Sequence, residues 1–239
     1  MSSSHWRRIL RKGSQRRQVA SRTLLRVNHV SESLVLALGA AVSPIPLTVS
    51  ILLLSQPDRG RAKALAFAAG QVLALAILCV IFTVVLSKTL GSPHPHAKHS
   101  STLDIVLGAL LLLLAARKLL AKPKPKKEKQ KNRSLFAEFA FGAGLMAVNV
   151  ETLVLVVASV KALVGSKIGV GEEALVLLAI VLIVTVSATV PPLITFVIPK
   201  KSGEALKWLN EQTTKHQRGI AAGFLIFFGI YLVYKGING

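Results

Sequence analysis

The chain has one cysteine, Cys79, and no second thiol to meet it. An intrachain disulfide and a CxxC redox pair are therefore excluded, and Cys79, inside an apolar run, reads as a small packed side chain. Acids are scarce too: 10 Asp+Glu stand against 30 Lys+Arg, and residues 1–30 contain none. Aromatic residues make up only 5% and do not interleave with the basic runs, so no nucleic-acid partner is expected. No HExxH, GxSxG or P-loop occurs, and no Ser/His or paired-Asp arrangement falls within an apolar stretch. An enzyme is not expected and no cofactor is required. Transport driven by ATP would need a partner subunit. Charge is missing altogether from 64–87.

Apolar residues fill the space instead, at 52% of the chain with a mean hydropathy of +0.57. Windowed hydropathy gives six stretches, at about 33–55, 62–87, 101–120, 137–160, 174–198 and 219–236. A hydrocarbon core about 30 Å thick takes roughly 20 such residues per helix. The expected fold class is all-α and integral to the membrane, with six transmembrane helices. Short connections leave no room for a separate soluble domain. The expected layout is a basic tail at 1–32 and a membrane domain at 33–237. A basic linker at 121–134 divides that domain into 33–120 and 135–237, with three spans each. An odd number per half turns the second half upside down, the arrangement of inverted-repeat transporters.

Lys and Arg mark the cytoplasmic side in short loops. The first, third and fifth connections carry seventeen of them against four in the second and fourth. The linker 121–134 is thus expected in the cytoplasm, where its lysines would attract anionic lipid head groups. The eight cations of the tail argue the other way, and the agreement of three connections outweighs them.

Polar and helix-breaking residues within the spans point to the function. Pro44 and Pro46 open the first span and remove backbone donors, so the freed carbonyls must find hydroxyls, neighbouring helices or water. Ser43, Thr48 and Ser50 are near enough in sequence to help. Asn149 and Glu151 lie in the fourth span, where an acid costs about 2.5–3.5 kcal/mol and is rare without a task. Aligning Ala41-Val42-Ser43 with Ala147-Val148-Asn149 places a helix-weakening residue at the same depth in each half. Pro191 and Pro192 are expected to break the fifth span amid Thr185, Ser187, Thr189 and Thr195. The alternatives are a simple kink at the prolines, and a protonated Glu151 bonded between helices. No Lys or Arg falls in the middle of another span, so a salt bridge to Glu151 is not expected. Gln71 suits an interhelical hydrogen bond or a ligand contact equally. The glycines and alanines of 62–76 and 140–147 suit close helix packing. Ser202–Glu211 reads as a short amphipathic anchor.

Three stretches carry a family resemblance: Ser43-Pro-Ile-Pro-Leu, the hairpin Ser55-Gln-Pro-Asp-Arg-Gly-Arg-Ala-Lys-Ala-Leu-Ala-Phe-Ala-Ala-Gly70, and Leu107-Gly-Ala-Leu-Leu-Leu-Leu-Leu-Ala-Ala-Arg117 before a Lys/Pro-rich loop. With the Leu-Lys-Trp-Leu turn before the last helix, they resemble the GAP (peptidoglycolipid/sulfolipid-addressing) family of the lysine-exporter superfamily, over roughly residues 33–237. The resemblance implies a six-helix bacterial inner-membrane protein linked to export of glycolipids or other small solutes. Members commonly open the fourth helix with Asn-Pro-Lys, where this chain has Asn149-Val150-Glu151, so no expectation about substrate charge carries over.

The expected function is secondary export of a small solute or lipid-linked molecule. Ser43 and Asn149 would give hydrogen bonds, Glu151 would bind a proton or cation, and Pro44, Pro46, Pro191 and Pro192 would open the backbone. Two alternatives stand beside it: a non-transporting assembly scaffold docking through the basic linker, and a divalent-cation exporter of the same superfamily. The second draws on Ser92-Pro-His-Pro-His-Ala-Lys-His99, whose His94, His96 and His99 have the chemistry for Ni, Zn or Cu. The solvent-facing reading of that loop assigns no metal. A homo-oligomer is left open by the sequence.

Overall fold

A computed structural model of the chain describes residues 27–90, 97–120, 133–166, 168–197 and 202–238, all helix or connection with no strand among them. The helices are α1 (Val27–Ala41), α2 (Pro44–Leu54), α3 (Gly60–Leu90), α4 (Ala97–Leu120) and α5 (Leu135–Val148). They continue with α6 (Val150–Gly165), α7 (Val170–Val184), α8 (Val186–Val197) and α9 (Ser202–Asn238). His94, His96 and most of the basic linker lie outside the described residues, as does the side chain of His99.

Among the described residues, two helical stretches, Gly60–Thr89 and Gly219–Asn238, are long and apolar enough to cross a membrane alone. Three bent pairs pass when each is taken together: α1 with α2 (50°), α5 with α6 (68°) and α7 with the Val186–Thr195 part of α8 (67°). Large apolar side chains of α3, among them Leu73, Ile77, Val80 and Val84, are exposed. An apolar surface of this extent calls for a membrane or a partner. α4, the expected third span, carries Asp104, Arg117 and Lys118 and is not among these stretches. The amphipathic anchor expected at 202–211 is the continuous start of α9, not a separate turn.

Close approach organises the interior. A Cβ on Gly70 would lie 2.0 Å from the Phe139 carbonyl oxygen, and one on Gly142 would lie 2.1 Å from that of Phe67. Only glycine lets α3 and α5 come so near, which is the packing role expected of the small residues there. Gly108, Gly229 and Gly236 do the same between α4 and α9, which run antiparallel. Cys79 is buried in the main apolar cluster with Leu75 and Leu155. Gln71 is buried as well, but its Nε2 has no hydrogen-bond partner among the described residues.

The breaks have local causes. Asn149 ends α5 and caps α6: its side-chain oxygen accepts from the Thr152 amide at 3.5 Å. Asparagine competes with the helix for backbone bonds and favours caps, so an apolar run bends where one occurs. Ser43 precedes α2, with Pro44 and Pro46 in its first turn, where a missing N–H costs nothing. The third break corrects an expectation. Pro191 and Pro192 lie inside α8, and the chain bends at Thr185 instead. A proline ring clashes with the carbonyl four residues earlier, here those of Ser187 and Ala188, so its disturbance appears upstream. The Ala188 oxygen, which loses its donor to Pro192, accepts from Ser50 Oγ of α2 at 2.8 Å. A hydroxyl beside the first proline pair thus serves the second.

Candidate functional site

Two of the breaks meet. Asn149 Nδ2 donates to Ser43 Oγ at 3.1 Å, across 106 residues of sequence. The Asn149 amide is used at both ends, its oxygen capping α6 and its nitrogen holding the turn into α2. The two positions that align between the halves are therefore in direct contact.

An open cleft of about 410 Å³ lies beside this bond. It is lined by Ile45, Leu114 and Leu145, and by the polar group Arg117, Lys118, Asn149 and Glu151. Asn149 and Glu151, two residues apart, would face different ways on an intact helix; the interruption lets both line one cavity. On the other side of Ser43 a void of about 10 Å³, lined by Val42, Ser43, Glu151 and Thr152, has room for about one water molecule.

Glu151 does not stand alone. Lys118 Nζ lies 2.5 Å from its Oε2, with both side chains partly exposed to the cleft. This overturns the expectation that no cation would reach it. A second pair joins the same two helices further along: Lys161 Nζ is 2.6 Å from Asp104 Oδ1, and both side chains are buried. The acid of α4 meets the base of α6 at one end, and the reverse holds at the other, so the helices run antiparallel and are tied twice. Arg117 and Lys118 fall in the last turn of the expected span 101–120 and Lys161 just beyond 137–160, so all three count with the connections in a reading by hydropathy. Their helical spacing from the apolar runs was the signal available.

Of the other expected residues, Pro44 and Pro46 are buried on either side of Ile45, which lines the cleft. Thr48 Oγ1 donates to the Pro44 carbonyl within α2. Pro191 and Pro192 are buried in α8 and do not line this cleft; they reach it through α2 by way of the Ser50–Ala188 bond. The hydroxyls of Thr185, Thr189 and Thr195 donate to carbonyls of their own helical turns, which leaves them little capacity to donate to a ligand. Among the described residues no group of three His, Cys, Asp or Glu could hold a metal ion.

The arrangement offers a ligand two cations, one carboxylate and an amide in a cleft with apolar walls. No curated protein and no solved structure matches the chain. A family model described as Sap, sulfolipid-1-addressing protein, matches residues 34–238. With that match over most of the sequence, and apolar helices to bear it out, the chain is a membrane protein belonging to the sulfolipid-1-addressing protein family.

Proposed function

We propose that the chain is a secondary exporter that moves a small solute or lipid-linked molecule through the cleft where the breaks of α1/α2 and α5/α6 meet. The observation that carries this reading is the Asn149–Ser43 hydrogen bond beside that cleft. Interrupted helices in corresponding positions of two halves are the best pointer to a transporter's binding site. A scaffold has no need to loosen two helices at one point and leave a cleft there.

In this reading α4 is the third of six spans, and its buried charge is tolerated because Asp104 and Lys118 each have a partner on α6. The halves 33–120 and 135–237 are inverted repeats that have diverged, since α3 is unbroken while its counterpart bends between α7 and α8. The chain sits in the bacterial inner membrane as a member of the lysine-exporter superfamily, with the linker 121–134 in the cytoplasm against anionic lipid. It is not an enzyme and needs no cofactor.

The family's name points to a sulfolipid as cargo. Arg117 and Lys118 suit a sulfate group, Arg through its planar fork and Lys as a point charge. Glu151 then occupies Lys118 while the cleft is empty, and yields it when an anion enters.

The test is translocation of a radiolabelled sulfated glycolipid in proteoliposomes under a proton gradient, read as lipid extractable from the outer leaflet. The purified full chain should move lipid faster than protein-free liposomes, and Glu151→Gln should abolish the difference while leaving the melting temperature in place. A folded protein that moves no lipid would remove the reading. Unaltered translocation by Glu151→Gln would remove Glu151 from the mechanism.

A further inference from the structure

At the end of the bundle away from the cleft, four helices bring titratable side chains together. α1 supplies His29 and Glu32, α4 Asp104, α6 Lys161, and α9 Tyr231 and Lys235. The Asp104–Lys161 pair is innermost, with side chains 7% and 5% exposed. Lys235 pairs with Glu32, which is 14% exposed, and His29 Nδ1 lies 3.8 Å from the same carboxyl at 37% exposure. The charges of Glu32 and Lys235 both reach Lys161. Exposure thus falls from His29 through Glu32 to the Asp104–Lys161 pair.

Polar groups continue inward from there. Ser159 Oγ donates to the Ser33 carbonyl at 2.7 Å, and the two hydroxyls lie 3.2 Å apart, buried between α1 and α6. Beyond them come the water-sized void and Glu151. From Lys161 to Glu151 is ten residues of helix, or about 15 Å. Buried pairs are poor stabilisers compared with well-packed apolar residues, so one kept in a membrane helix points to a task.

We propose that Asp104 is the proton-binding group that couples export to the proton gradient, with Lys161 as its counter-ion and Glu32, Lys235 and His29 as its route to water. The proposal rests on the exporter reading and adds a coupling site separate from the cleft. While Asp104 is ionised, its pair and the Lys118–Glu151 pair tie α4 to α6 at both ends and hold the cleft in one shape. A proton from water on that side adds to the Asp104 carboxylate, forming one O–H bond and a neutral acid. Lys161 keeps its charge, beside the Glu32–Lys235 pair whose charges reach it. With one tie released, α6 moves against α4 and the cleft changes shape. Among the described residues, Lys161 of α6 pairs with Asp104 directly, Glu32 of α1 and Lys235 of α9 act on Lys161, and Tyr231 of α9 feels the charges of both Glu32 and Asp104.

The test uses the full chain in nanodiscs with Cys79→Ala and Leu114→Cys, the latter carrying a bimane label whose emission reports the cleft wall. In this background emission should titrate with pH. Asp104→Asn should abolish the titration. Because that variant takes the paired carboxylate from a buried lysine and could fail to fold, Asp104→Leu/Lys161→Met is made alongside it. The double variant should keep the background's melting temperature and show no titration; made in the unlabelled chain with Leu114 in place, it should lose gradient-driven lipid translocation by about fivefold or more. A double variant that titrates and transports like its background would show the pair to be a brace and overturn the proposal. So would a background with no titration, or a titration that survives in the Asp104 variants and disappears in Glu151→Gln. Gradient-driven translocation without any Asp104 effect would sink this inference and leave the exporter reading standing. An Asp104-dependent titration without translocation would sink the exporter reading and the coupling role with it, leaving Asp104 only as a proton-sensitive tie between α4 and α6.

Discussion

Asn149 shows how much one side chain can organise. Its oxygen caps α6, its nitrogen bonds Ser43, and its backbone ends α5 at a 68° bend. Asn149→Ala removes the cap and the contact between the halves, and should lower stability by about 1 kcal/mol, read as a fall in the detergent melting temperature. Asn149→Ser keeps an oxygen at the cap and should recover much of that loss but not the Ser43 bond. The charged residues behave differently. Asp104→Asn alone takes the paired carboxylate from the buried Lys161 and should cost about 3–5 kcal/mol, whereas replacing both partners with apolar residues should cost far less. The sequence made Asn149 and Glu151 conspicuous because each is a polar residue in an apolar run. It hid their partners, because whether Lys118 lies in a loop or against Glu151 depends on which helix packs beside it.

Among the elements, α2 is the junction: Ser43 at its start meets α6's cap, and Ser50 in its last turns meets the carbonyl that Pro192 leaves without a donor. Ser50→Ala should therefore strand a buried carbonyl and cost about 1–3 kcal/mol in thermal unfolding. Pro192→Ala restores an N–H for that same carbonyl, so the double variant should be less impaired than the sum of the two, by a coupling of about 0.5–3 kcal/mol. Strict additivity would mean that the hydroxyl and the proline are unconnected. Gly142→Ala should push α5 away from the Phe67 carbonyl and destabilise by about 1–3 kcal/mol. The prolines advertised a disturbance in the fifth span, yet its place was not legible. The ring acts on carbonyls a turn upstream, and Thr185, where the chain gives way, looks in sequence like any other threonine.

For the whole molecule, the apolar pattern foretold helices packed in a membrane, and the small residues foretold which faces would approach closely. The chain's partition into charged connections and uncharged spans was too sharp. α4 and α6 carry their charges into the bundle, where two oppositely ordered pairs tie them together, and only the folded arrangement makes such pairs affordable. In the exporter proposed above, the α1/α2 and α5/α6 breaks open at one shared point through which cargo passes. A Ser43→Cys/Asn149→Cys pair in a Cys79→Ala background tests this in a single assay of lipid translocation before and after reduction. Oxidation should form the disulfide and arrest translocation, and reduction should restore it. Full-rate translocation with the disulfide intact, or failure of the two thiols to join, would contradict it.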